Sequence, residues 1–228
     1  MRLRDWKDLP DYMQKPAVRE YYDVLQKKNK SLLCKRIFDV AAAAMLLLLL
    51  LPVFLVLAVW IKADSLGPVF FRQERVTQYG KIFRIYKFRT MVNNAEKKGS
   101  QVTVGNDARI TGVGARIRRV RLDELPQLIN VLTGDMSFVG TRPEVKRYVN
   151  AYTEEMYATL LLPAGITSEA SIRYKDEDAI LADAEDVDKA YVEAVLPGKM
   201  KYNLEAMKHF SFLGDIVTML RTVGAVLS

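Results

Sequence analysis

The feature that most constrains the fold is an apolar run over residues 37–61, which contains one charged residue, Asp39, and one proline, Pro52. Its 25 residues could cross the hydrocarbon core of a bilayer, which takes ~20 apolar residues in a helix. A buried helix of a soluble protein is the competing interpretation, but the fourteen residues 45–58 carry no polar side chain, which is unusual for such a helix.

Basic residues flank the run on both sides, with ten Lys and Arg up to Arg36 and eight from Lys62 to Lys97. Positive charge marks the cytoplasmic side of a membrane segment, so both ends favour the same side. Pro52 removes a backbone donor and breaks or kinks a helix. Together these features predict a re-entrant helix, broken at the proline, on the cytoplasmic face of the membrane. A simple span with a poor charge bias is the alternative.

The sequence predicts three segments: an N-terminal cytoplasmic or interfacial part (1–34), the re-entrant membrane helix (35–62) and a cytoplasmic domain (63–228). Pro16 is expected to open a helix over residues 17–28, which lies either on lipid headgroups or packed on the domain. The fold class is mixed α/β and helix-rich, a monotopic membrane protein whose domain contains a small β-hairpin or sheet.

Local patterns place the elements of the domain. Alternating residues predict strands at 69–76 and 82–88, joined as a hairpin by 77–81. Turn residues predict a loop over 133–143 and a break at 163–167. The remaining expectations are a loop at 92–108, a helix from Pro143 to about Leu161, an acidic surface helix at 176–188, and two helices around Gly214 within 200–227.

The net charge of +7 indicates an anionic partner: nucleic acid, anionic lipid or a phosphorylated substrate. The basic residues cluster beside the apolar run and no recognised nucleic-acid motif is present, so nucleic acid is not expected. The single cysteine, Cys34, allows no intrachain disulfide. His209 has no second His or Cys to form a zinc site, which favours a structural or surface role.

Asp123 and Glu124 stand at the start of a predicted helix, because Pro126 fits only a first turn and apolar residues recur behind it at helical spacing. One interpretation makes Asp123 a simple cap and the upstream arginines a solvated basic face. Alternatively, an ionised Asp is a nucleophile towards phosphorus, and arginines with Mg²⁺ offset its repulsion by a phosphate. A loop with Gly140 and Arg142 feeding a helix N-terminus would be a further anion site.

The chain resembles the bacterial sugar transferase family, the monotopic polyprenyl-phosphate phosphoglycosyl transferases, in their small catalytic form. The resemblance runs from about Lys35 to the C-terminus. It rests on seven sequence pieces in order: Lys35–Asp39, Gly67–Arg75, Lys87–Met91, Arg109–Thr111, Leu122–Leu132, Gly134–Gly140 and Pro163–Thr167.

The resemblance implies a catalytic pair, Asp123 and Glu124. Asp123 would attack the β-phosphate of a UDP-sugar and release UMP, leaving a covalent sugar-phosphate. Undecaprenyl phosphate would then accept the sugar-phosphate at the cytoplasmic face of the inner membrane. Mg²⁺ would bind partly through Asp123, while Arg118, Arg142 and Pro143 would contact phosphate or nucleotide. A homo-oligomer stays among the expected partners, alongside membrane lipid.

Three departures from the family pattern stand out: Thr141 replaces the first proline of Pro-Arg-Pro, Thr77 replaces a hairpin glycine, and Ala164 with Ser168 alters Pro-Gly-Ile-Thr-Gly. A variant region over 168–190 bears on which sugar is accepted. The alternative function is a non-catalytic membrane scaffold of a glycan assembly complex with the same fold.

Overall fold

A computed structural model of the chain describes residues 1–93, 95, 107–174, 181, 184 and 186–227, without the side chains of 226 and 227. The loop predicted at 92–108 and the acidic helix predicted at 176–188 lie largely outside these residues. The helices are α1 (Pro16–Gln26), α2 (Asn29–Leu49), α3 (Leu51–Asp64), α4 (Gly112–Arg119), α5 (Gln127–Thr133), α6 (Lys146–Val149), α7 (Glu169–Arg173), α8 (Val187–Ala190), α9 (Leu196–Lys208) and α10 (Phe212–Leu227). The strands are β1 (Phe70–Val76), β2 (Ile82–Phe88), β3 (Met136–Val139) and β4 (Ala164–Thr167).

The predicted hairpin is confirmed: β1 and β2 pair antiparallel from Phe70 opposite Phe88 to Val76 opposite Ile82. Its turn has left-handed backbone at Tyr79 (φ 57°) and Gly80 (φ 76°). Glycine adopts that conformation at little cost, whereas a tyrosine does so only when its surroundings hold it. The Tyr79 hydroxyl accepts the N–H of Arg4 at 3.0 Å, so the N-terminal segment supports the turn.

A parallel pair of four-residue strands, β3 and β4, forms a second small sheet. The sequence predicted a loop over 133–143 and a break at 163–167. The structure confirms the loop only at 134–135 and 140–143, and has strands at 136–139 and 164–167 instead. The backbone segments at Gly140 and Gly165 approach each other so closely that a Cβ on Gly165 would lie 2.1 Å from the Gly140 nitrogen. Both positions therefore need glycine. Thr77 joins the strand starts, because its hydroxyl donates to Asp135 O (2.7 Å) and accepts from Ala164 N (3.0 Å).

The N-terminal helix α1 packs on the domain, as one of the two predictions for it stated. Val18, Tyr21, Tyr22 and Leu25 are buried in one apolar cluster that also contains residues of α6 and α9. The Tyr21 hydroxyl donates to the Glu155 carboxylate at 2.5 Å. The N-terminal segment and the domain therefore share a core.

The apolar run forms two helices, α2 and α3, that meet at a 61° bend. The break falls at Leu50, and Pro52 occupies the first turn of α3, where its missing N–H is tolerated. Within the described residues no single helix could cross a bilayer, whereas this bent pair has the necessary length and apolar composition. The large side chains at the bend are exposed rather than buried in the protein, with Leu48 at 77% and Leu49 at 70%.

Two consecutive turns of α2 connect the apolar pair to the domain. Buried Lys35 donates to Val139 O at 2.8 Å and to Asp215 Oδ2 at 2.6 Å. Arg36 donates to two carbonyls at the end of α5. Asp39 accepts the Ser137 hydroxyl at 2.8 Å and the N–H of Phe138 at 3.2 Å. These contacts fix the start of α2 against α5, β3 and α10.

The helix predicted from Pro143 to about Leu161 is wrong. Residues 143–145 are extended because Val76 N donates to Glu144 O (2.9 Å) along the edge of β1, and α6 is only four residues long. A 3-10 turn follows at Met156–Leu161.

The predicted break between the two C-terminal helices is also misplaced. It falls at 209–211, and Gly214 lies inside α10, where its N–H is capped by the Ser211 hydroxyl at 3.0 Å. His209 is exposed at the surface and pairs with Glu205.

Candidate functional site

The segment that carries the two carboxylates is a tight turn between α4 and α5. Arg121 has a left-handed backbone (φ 57°), which ends α4 and starts a 3-10 turn, Leu122–Glu124. Pro126 immediately precedes α5, as predicted, and no side chain caps that helix. The interpretation of Asp123 as a helix cap is therefore wrong. A positive φ at a non-glycine residue is a form of strain that proteins retain at functional sites.

Buried Asn130 fixes this segment to the hairpin. Its Oδ1 accepts the N–H of Tyr86 at 2.9 Å, and its Nδ2 donates to Arg84 O at 3.0 Å. One amide thus satisfies two backbone groups on the free edge of β2, as a neighbouring strand would. The contact sets the position of α5, and with it the carboxylates, relative to the side chains of β2.

Glu124 is clamped between two cations. Its Oε1 accepts from Lys87 Nζ at 2.8 Å and from Arg142 Nη2 at 2.6 Å, and its Oε2 lies 3.4 Å from Arg142 Nη1. Burial alone would raise the pKa of this carboxyl, but the charges and hydrogen bonds of Arg142 and Lys87 hold it well below its usual range. Burial in turn lowers the pKa of Lys87, and Glu124 only partly opposes it. Glu124 is therefore ionised, and its charge is balanced by Lys87 and Arg142 of the protein itself.

Asp123 has a different environment. It is buried (8% exposed), and burial raises its pKa above the usual range, although the charges of Lys87, Arg118 and Arg142 oppose this. Across the described part of the chain, no side chain donates a hydrogen bond to the Asp123 carboxylate. The adjacent carboxylates thus have distinct environments: Glu124 pairs with Lys87 and Arg142, whereas Asp123 lines the cleft without a hydrogen-bonded side-chain donor among the described residues.

Both carboxylates line a cleft of about 960 Å³. Towards the bend of the apolar helices its walls are apolar, with Leu46, Leu50, Phe138 and Ile166. Another part is rich in arginine, with Arg109, Arg118, Arg119 and Arg121. A third set of lining residues is polar: Glu144, Tyr148, Tyr174, Tyr191 and Lys199. The cleft could thus receive an apolar chain, phosphate groups and a polar group at separate places.

The structure brings all five predicted site residues to this cleft: Arg118, Asp123, Glu124, Arg142 and Pro143. The arrangement around Arg142 differs from the expectation, because residues 140–145 are not a helix N-terminus and Arg142 acts through its side chain on Glu124. Part of the arginine run has other contacts: Arg109 pairs with Asp107 at 2.6 Å, and Arg116 lies 5.8 Å from the Trp60 ring.

Two residues of the site were missed from the sequence, Lys87 and Asn130. Lys87 stands in one of the sequence pieces that carry the family resemblance. The predicted strand mixed basic and apolar residues on both faces, so the pattern gave Lys87 no distinct role. Asn130 stood between apolar helix positions, and only the edge of β2 explains why an amide is needed there.

The residues present fit a magnesium ion held mainly by its substrate. No cluster of three or more potential ligands occurs among the described His, Cys, Asp and Glu residues. Glu124 is engaged by two cations, which leaves Asp123 as the carboxylate for a metal. Mg²⁺ typically binds one or two carboxylates together with substrate phosphates and water. Asp123 with a diphosphate is such a set.

Comparison with known proteins gives concordant matches. The Bacterial sugar transferase family model matches residues 30–228. A UDP-N-acetylgalactosamine-undecaprenyl-phosphate N-acetylgalactosaminephosphotransferase of Aeromonas hydrophila is 38% identical over 198 residues, 85% of this chain and 44% of the relative. UDP-glucose:undecaprenyl-phosphate glucose-1-phosphate transferases of Escherichia coli and Caulobacter vibrioides are 37% and 35% identical, over 91% and 85% of this chain. The chain spans 43% of the former's length and 70% of the latter's.

Proposed function

The chain belongs to the bacterial sugar transferase family, and we propose that it transfers a sugar phosphate from a UDP-sugar to undecaprenyl phosphate at a membrane surface. The observation that carries this proposal is the division of labour between neighbouring carboxylates. Glu124 is neutralised by Lys87 and Arg142, while Asp123 faces the cleft beside the same cations. The named relatives act on undecaprenyl phosphate, which supports the acceptor.

In the first half of the reaction, a carboxylate oxygen of Asp123 attacks the β-phosphorus of the UDP-sugar. The bond from that phosphorus to the bridging oxygen breaks, and UMP leaves with the electron pair. The sugar-phosphate is then held on Asp123 as an acyl phosphate. Lys87, Arg118 and Arg142 bring positive charge close to the carboxylates, which offsets the repulsion between an anionic nucleophile and an anionic diphosphate.

In the second half, a phosphate oxygen of the polyprenyl acceptor attacks the same phosphorus from the vacated side. The bond to the Asp123 oxygen breaks, the carboxylate is restored, and a polyprenyl-diphosphate sugar leaves. The apolar walls at Leu46, Leu50 and Phe138 give the prenyl chain a path from the bent helices to the nucleophile. Glu124 keeps Lys87 and Arg142 in place through both halves.

Magnesium would be held by Asp123 together with the substrate's phosphate oxygens, and when bound it supplies further neutralisation of the diphosphate. The family resemblance motivates the ion, and the chemistry of the donor set suits it. Titrating the purified protein with Mg²⁺ and EDTA, with UDP-sugar affinity as the readout, tests the assignment. We expect EDTA to weaken donor binding. Unchanged donor affinity would contradict the proposed magnesium site.

We propose that the bent helices α2 and α3 form a re-entrant hairpin whose two ends lie on the cytoplasmic face. Both flanks are basic, and the side chains at the bend are exposed and apolar. Single cysteines at Arg4 and Lys62, each in a Cys34→Ser background, can be labelled in sealed vesicles of known orientation. Both should react from the cytoplasmic side. Reaction from opposite sides would instead make the apolar run an ordinary span.

The reaction is tested with a donor panel. The protein is incubated with Mg²⁺, undecaprenyl phosphate and UDP-sugars that differ in the hexose, and UMP is measured. At least one donor should yield UMP together with a lipid-linked sugar diphosphate. If no donor yields UMP although the protein is folded and membrane-bound, the proposal fails and the scaffold alternative is favoured.

A further inference from the structure

Three buried polar side chains that line the cleft form a connected group that the proposed reaction does not use. We name Glu144, Tyr191 and Lys199 the distal triad. The Tyr191 hydroxyl donates to Glu144 Oε1 at 2.5 Å, and Lys199 Nζ donates to the Tyr191 hydroxyl at 3.2 Å. Their exposed fractions are 6%, 3% and 4%, yet all three line the cleft.

A short stretch of backbone connects the distal triad to Arg142, one of the residues proposed to contact phosphate. Glu144 stands two residues after Arg142 in an extended segment, so their backbones are ~7 Å apart. The segment is fixed from both sides: Val76 N donates to Glu144 O at 2.9 Å, and Arg75 Nη1 donates to Pro143 O at 3.2 Å. The charges of Glu144 and Arg142 act in opposite senses on the pKa of Arg75, which places its guanidinium within the field of both. The triad therefore lies next to the phosphate-binding residues.

A purely structural role accounts poorly for this group. Burying a carboxylate, a phenol and an ammonium costs desolvation energy that apolar side chains of similar volume would avoid. Such groups in a cleft are more typical of a functional site. A carboxylate and an ammonium, held in fixed positions by the phenol between them, are groups that bind the hydroxyls of a hexose.

The three parts of the cleft suit the three parts of the substrates. The apolar part suits a prenyl chain, and the arginine-rich part suits phosphate groups. The distal triad is the remaining polar wall beside the β-phosphate, to which the sugar of the donor is attached. We propose that the distal triad binds the sugar of the donor, a neutral hexose or N-acylated hexosamine, and thereby discriminates between donors. This inference rests on the proposed function.

The test measures binding rather than turnover. The protein with Asp123→Asn, which cannot consume the donor, is titrated calorimetrically with UDP-glucose, UDP-galactose, their two N-acetylhexosamine counterparts and UMP. Adding Tyr191→Phe removes one hydroxyl and keeps the ring. We expect the ratio of affinities between the best and worst donor to change ~10-fold, as for loss of a buried hydrogen bond to substrate, with UMP affinity unchanged.

Tyr21→Phe is the matched control, because buried Tyr21 also donates its hydroxyl to a carboxylate at 2.5 Å, that of Glu155, and does not line the cleft. It should leave every donor affinity unchanged. Lys199→Gln is the second variant, expected to change the donor ratio without changing UMP affinity.

Two results would overturn the inference. A uniform loss of affinity for all donors and UMP would assign the triad to the nucleotide. An unchanged donor ratio in both Tyr191→Phe and Lys199→Gln would make the triad structural. Because none of these measurements needs turnover, a failure of the proposed reaction in the UMP assay is a separate result.

Discussion

Asn130→Ala is the perturbation whose effect follows most directly from the structure. The Asn130 amide accepts the N–H of Tyr86 at 2.9 Å and donates to Arg84 O at 3.0 Å, and its side chain is buried. Alanine leaves both backbone groups of β2 without a partner. Each buried polar group left unsatisfied costs ~1–3 kcal/mol; both of these bonds are only partly buried, so we expect the two together to lower the free energy of unfolding by about 2–4 kcal/mol.

For a domain of this size, 1 kcal/mol corresponds to ~2–4 °C in melting temperature, so Asn130→Ala should lower the melting temperature by about 4–16 °C in detergent micelles. The matched control is Asn203→Ala, since Asn203 is also buried, but among the described residues its side chain makes a single weak hydrogen bond, from Nδ2 to Met200 Sδ at 3.9 Å. We expect a smaller shift for the control. Equal shifts in the two variants would refute the reasoning that the amide replaces a strand partner.

The remaining predictions concern the charges around the carboxylates. Arg142→Ala should weaken UDP-sugar affinity ~10–100-fold, as for loss of a charged hydrogen bond, while membrane association stays unchanged in a flotation assay; unchanged donor affinity would remove Arg142 from the phosphate site. Lys87→Met should move the acid limb of the kcat/KM profile to higher pH. The Asp123 pKa is already raised by burial, Lys87 opposes that rise, and the nucleophile must be ionised, so losing Lys87 raises the pKa further. A limb that stays in place or moves to lower pH would contradict this sign.

The hairpin and the turn before α5 could be predicted from the sequence because their signals are local. Alternating residues bounded by turn residues define β1 and β2, and a proline is acceptable only in the first turn of a helix, which places Pro126 and the two carboxylates before it. These elements depend little on distant contacts. For the same reason, the boundaries of α1 and of the hairpin strands lie within a few residues of the predicted ones.

The parallel pair β3 and β4 could not be predicted in this way. Each strand has only four residues, and the strands come from segments rich in glycine and proline that read as turns. Their pairing depends on the close approach of Gly140 and Gly165, and on the Thr77 hydroxyl between their ends. The extended conformation at Pro143 has the same origin, since β1 supplies the partner for Glu144. Long-range pairing overrode the local preference for a helix.

The candidate site was predictable in its carboxylates and arginines, but not in what distinguishes Asp123 from Glu124. Neighbours in sequence have similar local environments, and the difference arises from Lys87 on β2 and Arg142 beyond β3, which both contact Glu124. Lys87 reaches the site because Asn130 holds α5 against β2. The division of roles is therefore a property of the tertiary structure.

The central claim is that Asp123 carries the sugar-phosphate covalently between the two halves of the reaction. The most direct test incubates the protein with Mg²⁺ and an accepted UDP-sugar in the absence of undecaprenyl phosphate, quenches in acid, and records the intact mass and the peptide that contains Asp123. We predict a mass increase of one sugar-phosphate on that peptide, equimolar release of UMP, and neither in Asp123→Asn. Turnover with the acceptor present but no adduct at any time in its absence would contradict the account and favour direct transfer.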